Sequence, residues 1–475
     1  MKKENLRHHK EPLKIIREIE KPRWGILTHR YAPFNNVKAR FKLSAKSFNL
    51  AFQYSIFRKK RRLDLGASYK KVQFSLSSRT LILEDFFLNR HSPPKFNGQV
   101  GFFYTKGFSK TKKYYYRLII PLEREIKFHY ILEEHFFTTD LGYGCRTGTK
   151  ATFADDDLLV SIFQDKEQKK HFLSIESPKA QQFEIFSQKT FAVKIALGYL
   201  TGSFAGGSGY YFAYSNKKLE HVKHFYHCSF RDTIESSYTP VYTNPFGRLH
   251  HRKQVAKSYY KKKVLRPVTL AEFSELCHKI HASSDFASAL MLILESSVAS
   301  LLFMPGGYAI ALERISDIII GKQKLRLAPV SDKKVWAEIL KSCSGIIDQY
   351  KEAISAESQT IVKNRILQIN QITKQARLKA PFDLLHVHLN DADLQSLQTR
   401  NDFLHGRVPN ITKSKEPRTT DRINRDLLFA SYKFYTLLNI LILKWIGYDN
   451  HVINYSKVQE DYTQIKTSEE YYRKV

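Results

Sequence analysis

The chain has 475 residues, 43% of them hydrophobic and 13% aromatic, which is enough apolar mass to exclude wholesale disorder. Lysine and arginine number 77 against 45 acidic residues, so the net charge of +32 predicts a polyanionic partner, nucleic acid before a membrane surface. Four widely spaced cysteines argue against a disulfide framework and favour a reducing, cytoplasmic location. The N-terminal stretch has no apolar segment of the signal-peptide type.

The first half of the chain has the pattern of β-strands. After a basic N-terminal extension over 1–34, short runs rich in aromatic and β-branched residues alternate with period two, so that Phe41 and Leu43 share a face. Pro, Gly and Asn interrupt the runs. We therefore predict an antiparallel, sandwich-like β domain over 35–250, with one helix at 189–200.

A polar, basic stretch over 251–267 predicts a linker, and from residue 268 the apolar period changes to 3.6. The predicted helices cover 283–304, 332–352, 359–378, 391–404 and 421–446. The first would end at a Pro-Gly-Gly sequence. The apolar runs are too short or too interrupted by polar residues to span a membrane, so we expect no membrane partner. The fold class is therefore α+β, with an all-α bundle over 268–450 and a polar tail over 451–475.

The helix at 391–404 carries the residues of greatest chemical interest. An apolar stripe is formed by Leu394, Leu397 and Leu404. On a helical wheel of about 100° per residue, Asn401 falls inside this stripe, with Arg400 and His405 on its two flanks. An amide inside a packing stripe, flanked by a cation and an imidazole, is unusual for a simple core helix. The alternative is that Arg400 pairs with an acidic residue and His405 only ends the helix.

The sequence RNDFLH from Arg400 to His405, followed by Gly406 and Arg407, resembles the signature of the HEPN superfamily. That signature is an Arg, a polar residue, three or four further residues and a His. The wider sequence over 268–450 is similar to the ApeA-like HEPN proteins of bacterial anti-phage abortive infection. The resemblance implies a metal-independent endoribonuclease with a composite site at a dimer interface, so we expect no metal and no cofactor.

The chemistry of the residues agrees with this expectation. RNA supplies its own 2′-OH as nucleophile, so an enzyme needs to move protons and to stabilise charge on phosphorus. His405 can act as general acid or base near neutral pH, and Arg400 can bind two phosphate oxygens at once. Asn401 could orient His405 or hold a phosphate. A single helix directs Arg400 and His405 about 140° apart, so we expect at least a homodimer, docked through the leucine stripe.

Basic and aromatic residues mark candidate RNA-binding segments in the first half. The candidates are Arg58, Lys59, Lys60, Arg61, Arg62, Lys112 and Lys113, with Arg407 in the second half. Positive charge can follow a phosphate backbone, and neighbouring tyrosines can stack on bases, although solvated loops give the same pattern. The β domain would recruit RNA or recognise a phage-derived trigger. The rival hypothesis is a non-catalytic nucleic-acid-binding protein whose helical bundle serves only for dimerisation.

Overall fold

The structure, a computed structural model, describes all residues except 1–8, 30–35, 45–46, 54–67, 90–94, 127, 129–130, 141–143, 166, 237, 239–260, 263–264, 323–327 and 412–417. The chain divides into two compact units, Met1–Ala287 and Ser288–Val475. The first is rich in antiparallel strands and the second is helical, so the predicted α+β class is confirmed. The division falls after Ala287, whereas we expected it in a linker at 251–267, most of which lies outside the described residues.

The strands of the first unit all pair antiparallel in one large sheet and one small one. They are β1 (Arg23–Thr28), β2 (Val37–Ser44), β3 (Ser47–Gln53), β4 (Ser68–Tyr69), β5 (Val72–Ser75), β6 (Thr80–Asn89), β7 (Lys95–Thr105), β8 (Tyr115–Leu122), β9 (Phe136–Asp140), β10 (Gly144–Thr152), β11 (Asp157–Asp165), β12 (Lys170–Glu176), β13 (Ser203–Phe204), β14 (Ser208–Tyr214), β15 (Val222–Ser229) and β16 (Ile234–Glu235).

The large sheet closes on itself at one end. Strand β1 pairs with β2 and β5, β6 pairs with β5 and β7, and β3 joins β2 to β7, which completes a ring. From β7 the sheet continues open through β15, β14, β8, β12, β11 and β10 to β9. Phe41, Phe48, Phe74 and Phe103 are buried in the ring's aromatic core. We expected a sandwich; closure into a ring removes the free edges that two facing sheets would leave.

Among the residues that the structure describes, the first unit also contains the helices α1 (Lys10–Glu20), α2 (Phe183–Thr201) and α3 (Leu270–Ala282). Helix α2 confirms the helix predicted at 189–200. Helix α1 buries Leu13 and Ile16 in the strand core, so this part of the expected extension belongs to the unit. Helix α3 packs on α2 and β10, which is why the first unit extends past the boundary that we expected at 268.

The helices that follow α3 are α4 (Ser284–Ser296), α5 (Met304–Lys322), α6 (Lys333–Gln349), α7 (Ala356–Ile369), α8 (Lys374–Leu384), α9 (Asp391–Leu404), α10 (Thr420–Trp445), α11 (Tyr455–Val458) and α12 (Glu460–Thr463). The predicted Pro-Gly-Gly stop was wrong, because Pro305 lies in the first turn of α5, where its missing N–H costs no hydrogen bond. The helix predicted at 359–378 is two helices, α7 and α8.

Helix α10 is the centre of the second unit. It is long and apolar enough to cross a membrane, but 94% of its most apolar window is buried within the protein, as in the core helix of a soluble bundle. The stretch expected to be a tail packs on it, with strands β17 (His451–Ile453) and β18 (Tyr472–Lys474). Lys433 of α10 is fully buried and contacts Glu469 at 2.6 Å. This ion pair attaches the C-terminal segment to the bundle.

Candidate functional site

Helix α9 begins and ends at the residues that the local sequence predicted. Asn390 caps its first turn in a capping box with Asp393. At the other end the N–H of Gly406 donates to Phe403, and the N–H of Arg407 donates to the carbonyl of Asp402 at 2.7 Å. These two bonds form a Schellman motif, which needs a left-handed residue, and Gly406 has φ +69°. The glycine that follows the histidine therefore holds His405 at the C-cap of the helix.

The buried face of α9 matches the leucine stripe only in part. Asp393, Leu397 and Arg400 are buried, whereas Asn401 is exposed. Asp393 accepts from Lys433 at 2.9 Å and from Arg473 at 2.7 Å, so buried ion pairs as well as the apolar Leu397 lie on the inward side of α9. Of the stripe through which we expected a second copy to dock, Leu397 is only 2% exposed within one chain, whereas Leu394 is partly exposed.

Arg400 points into the bundle. Its side chain is 2% exposed, its Nη2 forms an ion pair with Glu313 of α5, and its Nη1 donates to the side-chain oxygen of Asn401 at 2.5 Å. Its Nε makes no hydrogen bond to any residue that the structure describes. Burial lowers the pKa of the guanidinium, although an arginine remains protonated in proteins. The guanidinium is thus held by an acidic residue, as the alternative interpretation of the sequence proposed.

His405 has the opposite environment. Its side chain is exposed, and its backbone N–H donates to the carbonyls of Asn401 and Asp402, both at 3.1 Å. The imidazole is therefore free to meet a molecule from solvent, while Arg400 of the same chain faces inward. Within one chain the side chains of Arg400 and His405 therefore have different surroundings, one buried and one exposed.

An open apolar cavity of about 470 Å³ lies beside this turn. Gly406, Arg407 and Val408 line one side of it, and Phe303 and Ile310 line the other. Phe303 is 71% exposed, and Arg407 is also exposed. The sequence pattern did not reveal this surface, because we placed Phe303 inside a buried helix ending at residue 304.

A second group of basic residues lies in the first unit. Pairing of β6, β7 and β15 brings Arg79, Lys106 and Lys223 around a cavity of about 480 Å³ beside His224. Burial lowers the pKa of His224, and the charges of Lys223 and Lys112 lower it further. We call this group, with Lys112, the basic surface. Lys112 and Lys106 belong to a basic segment that the sequence marked, whereas Arg79 and Lys223 are distant from it in the chain and were not predicted.

The remaining candidate RNA-binding residues are placed as follows. Lys112 and Lys113 are exposed, and the Lys112 ammonium lies 5.8 Å from the ring centre of Tyr114. The predicted segment Arg58–Arg62 lies outside the described residues. Arg407 belongs to the second unit. Among the residues that the structure describes, no group of three or more His, Cys, Asp and Glu side chains could hold a metal ion.

Comparisons with protein-family models, with curated proteins and with solved structures find no match for this chain. The function therefore has to be inferred from the geometry of α9 and of the residues around it.

Proposed function

We propose that this chain is a metal-independent endoribonuclease of the HEPN type, similar to the ApeA-like proteins of bacterial anti-phage abortive infection, and that it acts in the cytoplasm. One observation carries the proposal. The last turns of α9 carry Arg400, Asn401 and His405, a glycine cap fixes the position of the histidine, and the cap residues Gly406 and Arg407 line an open apolar cavity. The segment thus carries an imidazole that can transfer protons and a guanidinium that can bind phosphate, and two copies of the chain would bring such groups together.

The chemistry follows from these groups. The RNA 2′-OH attacks the adjacent phosphorus, and His405 transfers protons to or from the reacting oxygens. Arg400 binds two phosphate oxygens as negative charge develops, which requires it to exchange Glu313 for the substrate. Asn401, whose oxygen accepts from Arg400, orients the guanidinium. The products are a 2′,3′-cyclic phosphate and a 5′-hydroxyl.

A second copy of the chain completes this site in the proposed mechanism. Arg400 and His405 of one copy diverge, so groups from two copies would act on one phosphate. The apolar cavity around Phe303 offers a surface for that docking in place of the leucine stripe. The first unit would recruit RNA through the basic surface or recognise a phage-derived trigger that allows cleavage.

The test is incubation of RNA with the purified protein and with Arg400→Ala and His405→Ala variants. We expect both substitutions to abolish cleavage, EDTA to leave it unchanged, and the products to carry 2′,3′-cyclic phosphates. Cleavage that survives in both variants contradicts the site assignment. Cleavage that is lost in EDTA, or 5′-phosphate ends, would show that a metal-activated water is the nucleophile.

A non-catalytic nucleic-acid-binding protein is the second candidate. Two observations favour it. The guanidinium of Arg400 already forms an ion pair with Glu313, and the basic surface lies in the first unit, whereas Arg400 lies in the second. It predicts RNA binding that weakens steeply with salt, without scission. Replacing Lys112 and Lys113 by Ala should weaken binding and reduce the salt dependence. Replacing the exposed pair Lys217 and Lys218 by Ala removes the same charge and is the control.

A further inference from the structure

The outside of the ring is open to solvent along β1, β2, β3 and the first half of β7. Alternate side chains of these strands point into the aromatic core, where Phe41, Phe48 and Leu50 are buried. The side chains between them point outward and are exposed or partly exposed. We call the outward-pointing residues of these four strands the outer sheet face. It extends from Trp24 on β1 to Gln99 on β7.

Every charged residue in these four strands is a cation. The strands contain five lysines and arginines and no acidic residue, whereas the whole chain has 45 acidic residues among 475. Four of the cations lie on the outer sheet face, namely Lys38, Arg40, Lys42 and Lys95. Among the residues that the structure describes, no acidic side chain forms an ion pair with any of them. A surface that needs only solubility mixes both signs of charge, so this one favours a polyanion.

Three of these cations lie in line on β2. Lys38, Arg40 and Lys42 occupy alternate positions of the strand, so their Cα atoms are about 6.8 Å apart. Like charges this close repel one another and weaken the sheet. An extended single strand of nucleic acid places successive phosphates at a similar spacing, and a phosphate beside each cation would remove that repulsion.

Trp24 is the large aromatic side chain of this face, and it is 60% exposed. It lies directly opposite Arg40 on β2, and the ammonium of Lys38 lies 5.4 Å from its ring centre. An indole in water forgoes the stabilisation that burial would give it. Between two cations it offers a ring on which an unpaired base can stack, with positive charge beside the phosphate of the same nucleotide.

Amide side chains fill much of the remaining face. Asn49 on β3 lies opposite Gln99 on β7, and the pairing of β2, β3 and β7 places Asn97 in the same row as Arg40. Asparagine is disfavoured within strands, so two of them inside β3 and β7 need a reason other than sheet stability. Amides donate and accept hydrogen bonds, as do the edges of unpaired bases. The face therefore combines groups suited to phosphates, to base rings and to base edges.

We propose that the outer sheet face binds an unpaired stretch of RNA, with a base stacked on Trp24 and successive phosphates beside the cations of β2. Bases lie against the sheet only when they are not paired, which excludes a regular duplex. This site is distinct from the basic surface, because Lys106 lies at the opposite end of β7 from Lys95. The choice of RNA as the polyanion rests on the proposed function, whereas binding itself is measured without cleavage.

The first experiment removes the stacking ring. The probe is a labelled 2′-O-methyl oligouridylate, which lacks the 2′-OH nucleophile and so cannot be cleaved by the proposed reaction. Trp24→Ala should raise its Kd about tenfold, with an unchanged circular dichroism spectrum, and should leave the Kd of a duplex of the same length unchanged. The matched control is Tyr350→Ala, an aromatic side chain of the second unit that is 61% exposed. An unchanged Kd for the single strand, or an equal rise for the duplex, overturns the proposal.

Tryptophan fluorescence tests the contact itself. Stacking of a base on Trp24 should quench part of the emission when the probe binds. Trp24→Phe keeps a ring that can stack, so it should retain most of the affinity while the quenching is lost. Quenching of the same size in Trp24→Phe would come from Trp336 or Trp445 and would contradict the assigned contact.

The second experiment removes charge from β2. Replacing Lys38 and Arg40 together by Ala should weaken binding of the single strand and reduce the slope of log Kd against log salt by about one to two. The exposed pair Lys217 and Lys218, replaced in the same way, is the control and should change neither quantity. A salt slope that is the same in the Lys38 and Arg40 variant as in the wild type contradicts the proposal.

Binding and cleavage together separate this proposal from the proposed function. If binding falls only when Lys112 and Lys113 are replaced, the basic surface alone holds RNA, and the outer sheet face is wrongly assigned while the ribonuclease stands. If binding depends on Trp24 but the wild type never cleaves RNA, the outer sheet face is supported and the ribonuclease is contradicted.

Discussion

Arg400 of α9 and Glu313 of α5 form an ion pair in which the arginine is buried and the glutamate is partly exposed. The guanidinium is therefore bound, within one chain, by a carboxylate, which like a phosphate offers anionic oxygens as acceptors. Any phosphate that Arg400 receives must displace Glu313. In the proposed mechanism, Glu313 and the RNA phosphate therefore compete for the guanidinium of Arg400.

Replacing Glu313 by Gln tests that competition. A neutral amide binds the guanidinium less tightly than a carboxylate, so we expect the KM for RNA to fall several-fold, with a loss of stability of about 1–2 kcal/mol. Initial rates over a range of RNA concentrations would measure the change. Glu357→Gln removes the same charge from an exposed position and is the control. Lower stability with an unchanged KM would mean that Arg400 has only a structural role.

Mixing an Arg400→Ala protein with a His405→Ala protein tests whether the groups act across two chains. Each variant alone should be inactive, because each cleft lacks one of the two groups. If an Arg from one copy works with a His from the other, mixed assemblies should recover part of the wild-type rate, measured by RNA cleavage after equilibration of the mixture. A mixture as inactive as its components would place both groups in one chain.

The cap at Gly406 predicts a loss of both stability and activity in Gly406→Ala. A methyl group meets no atom within 4 Å there, but φ +69° costs a non-glycine residue about 1 kcal/mol. Thermal unfolding should show that loss, and cleavage should fall because His405 moves with the cap. Gly345→Ala, inside α6 and also with open space around it, is the counterpart. It should be stabilising by about 0.5–1 kcal/mol.

The environment of Glu469 predicts that the second unit loses stability in acid. Burial raises the pKa of its carboxyl group, but the charge of Lys433 and hydrogen bonds from Lys433, Asn390 and Asn454 outweigh this and lower the pKa to about 2. A depressed pKa stabilises the fold fully above the unfolded value of about 4.3. That stability, about 2–4 kcal/mol for a side chain 7% exposed, is lost as pH falls from about 4.3 to 2.

Glu469→Gln should therefore unfold more easily at pH 7, and its difference from the wild type should shrink as the pH falls through that range. Denaturant titrations at several pH values would measure this difference. Glu470→Gln changes an exposed neighbour and should behave as the wild type. A difference that is independent of pH would show that the Glu469 carboxylate does not stabilise the bundle through its charge.

Local rules predicted several features of this chain from sequence. Helix α9 was predicted with both of its ends, because a capping asparagine and a left-handed glycine act within a few residues of the chain. Period-two alternation predicted antiparallel strands in the first half. The same kind of rule was wrong at Pro305, since a proline can begin a helix as readily as it follows one.

The sequence by itself determined where α9 lies and which reactive residues it carries, whereas only the tertiary structure decided the direction of each side chain. The leucine spacing predicted that Leu397 is buried, but it did not predict that Asp393 is buried beside it in ion pairs with Lys433 and Arg473, residues 40 and 80 positions away. Glu313 reaches Arg400 in the same way, from a different helix. Periodicity reports apolar residues within one segment, and it contains no information about which distant charge will meet a polar side chain once the chain is packed.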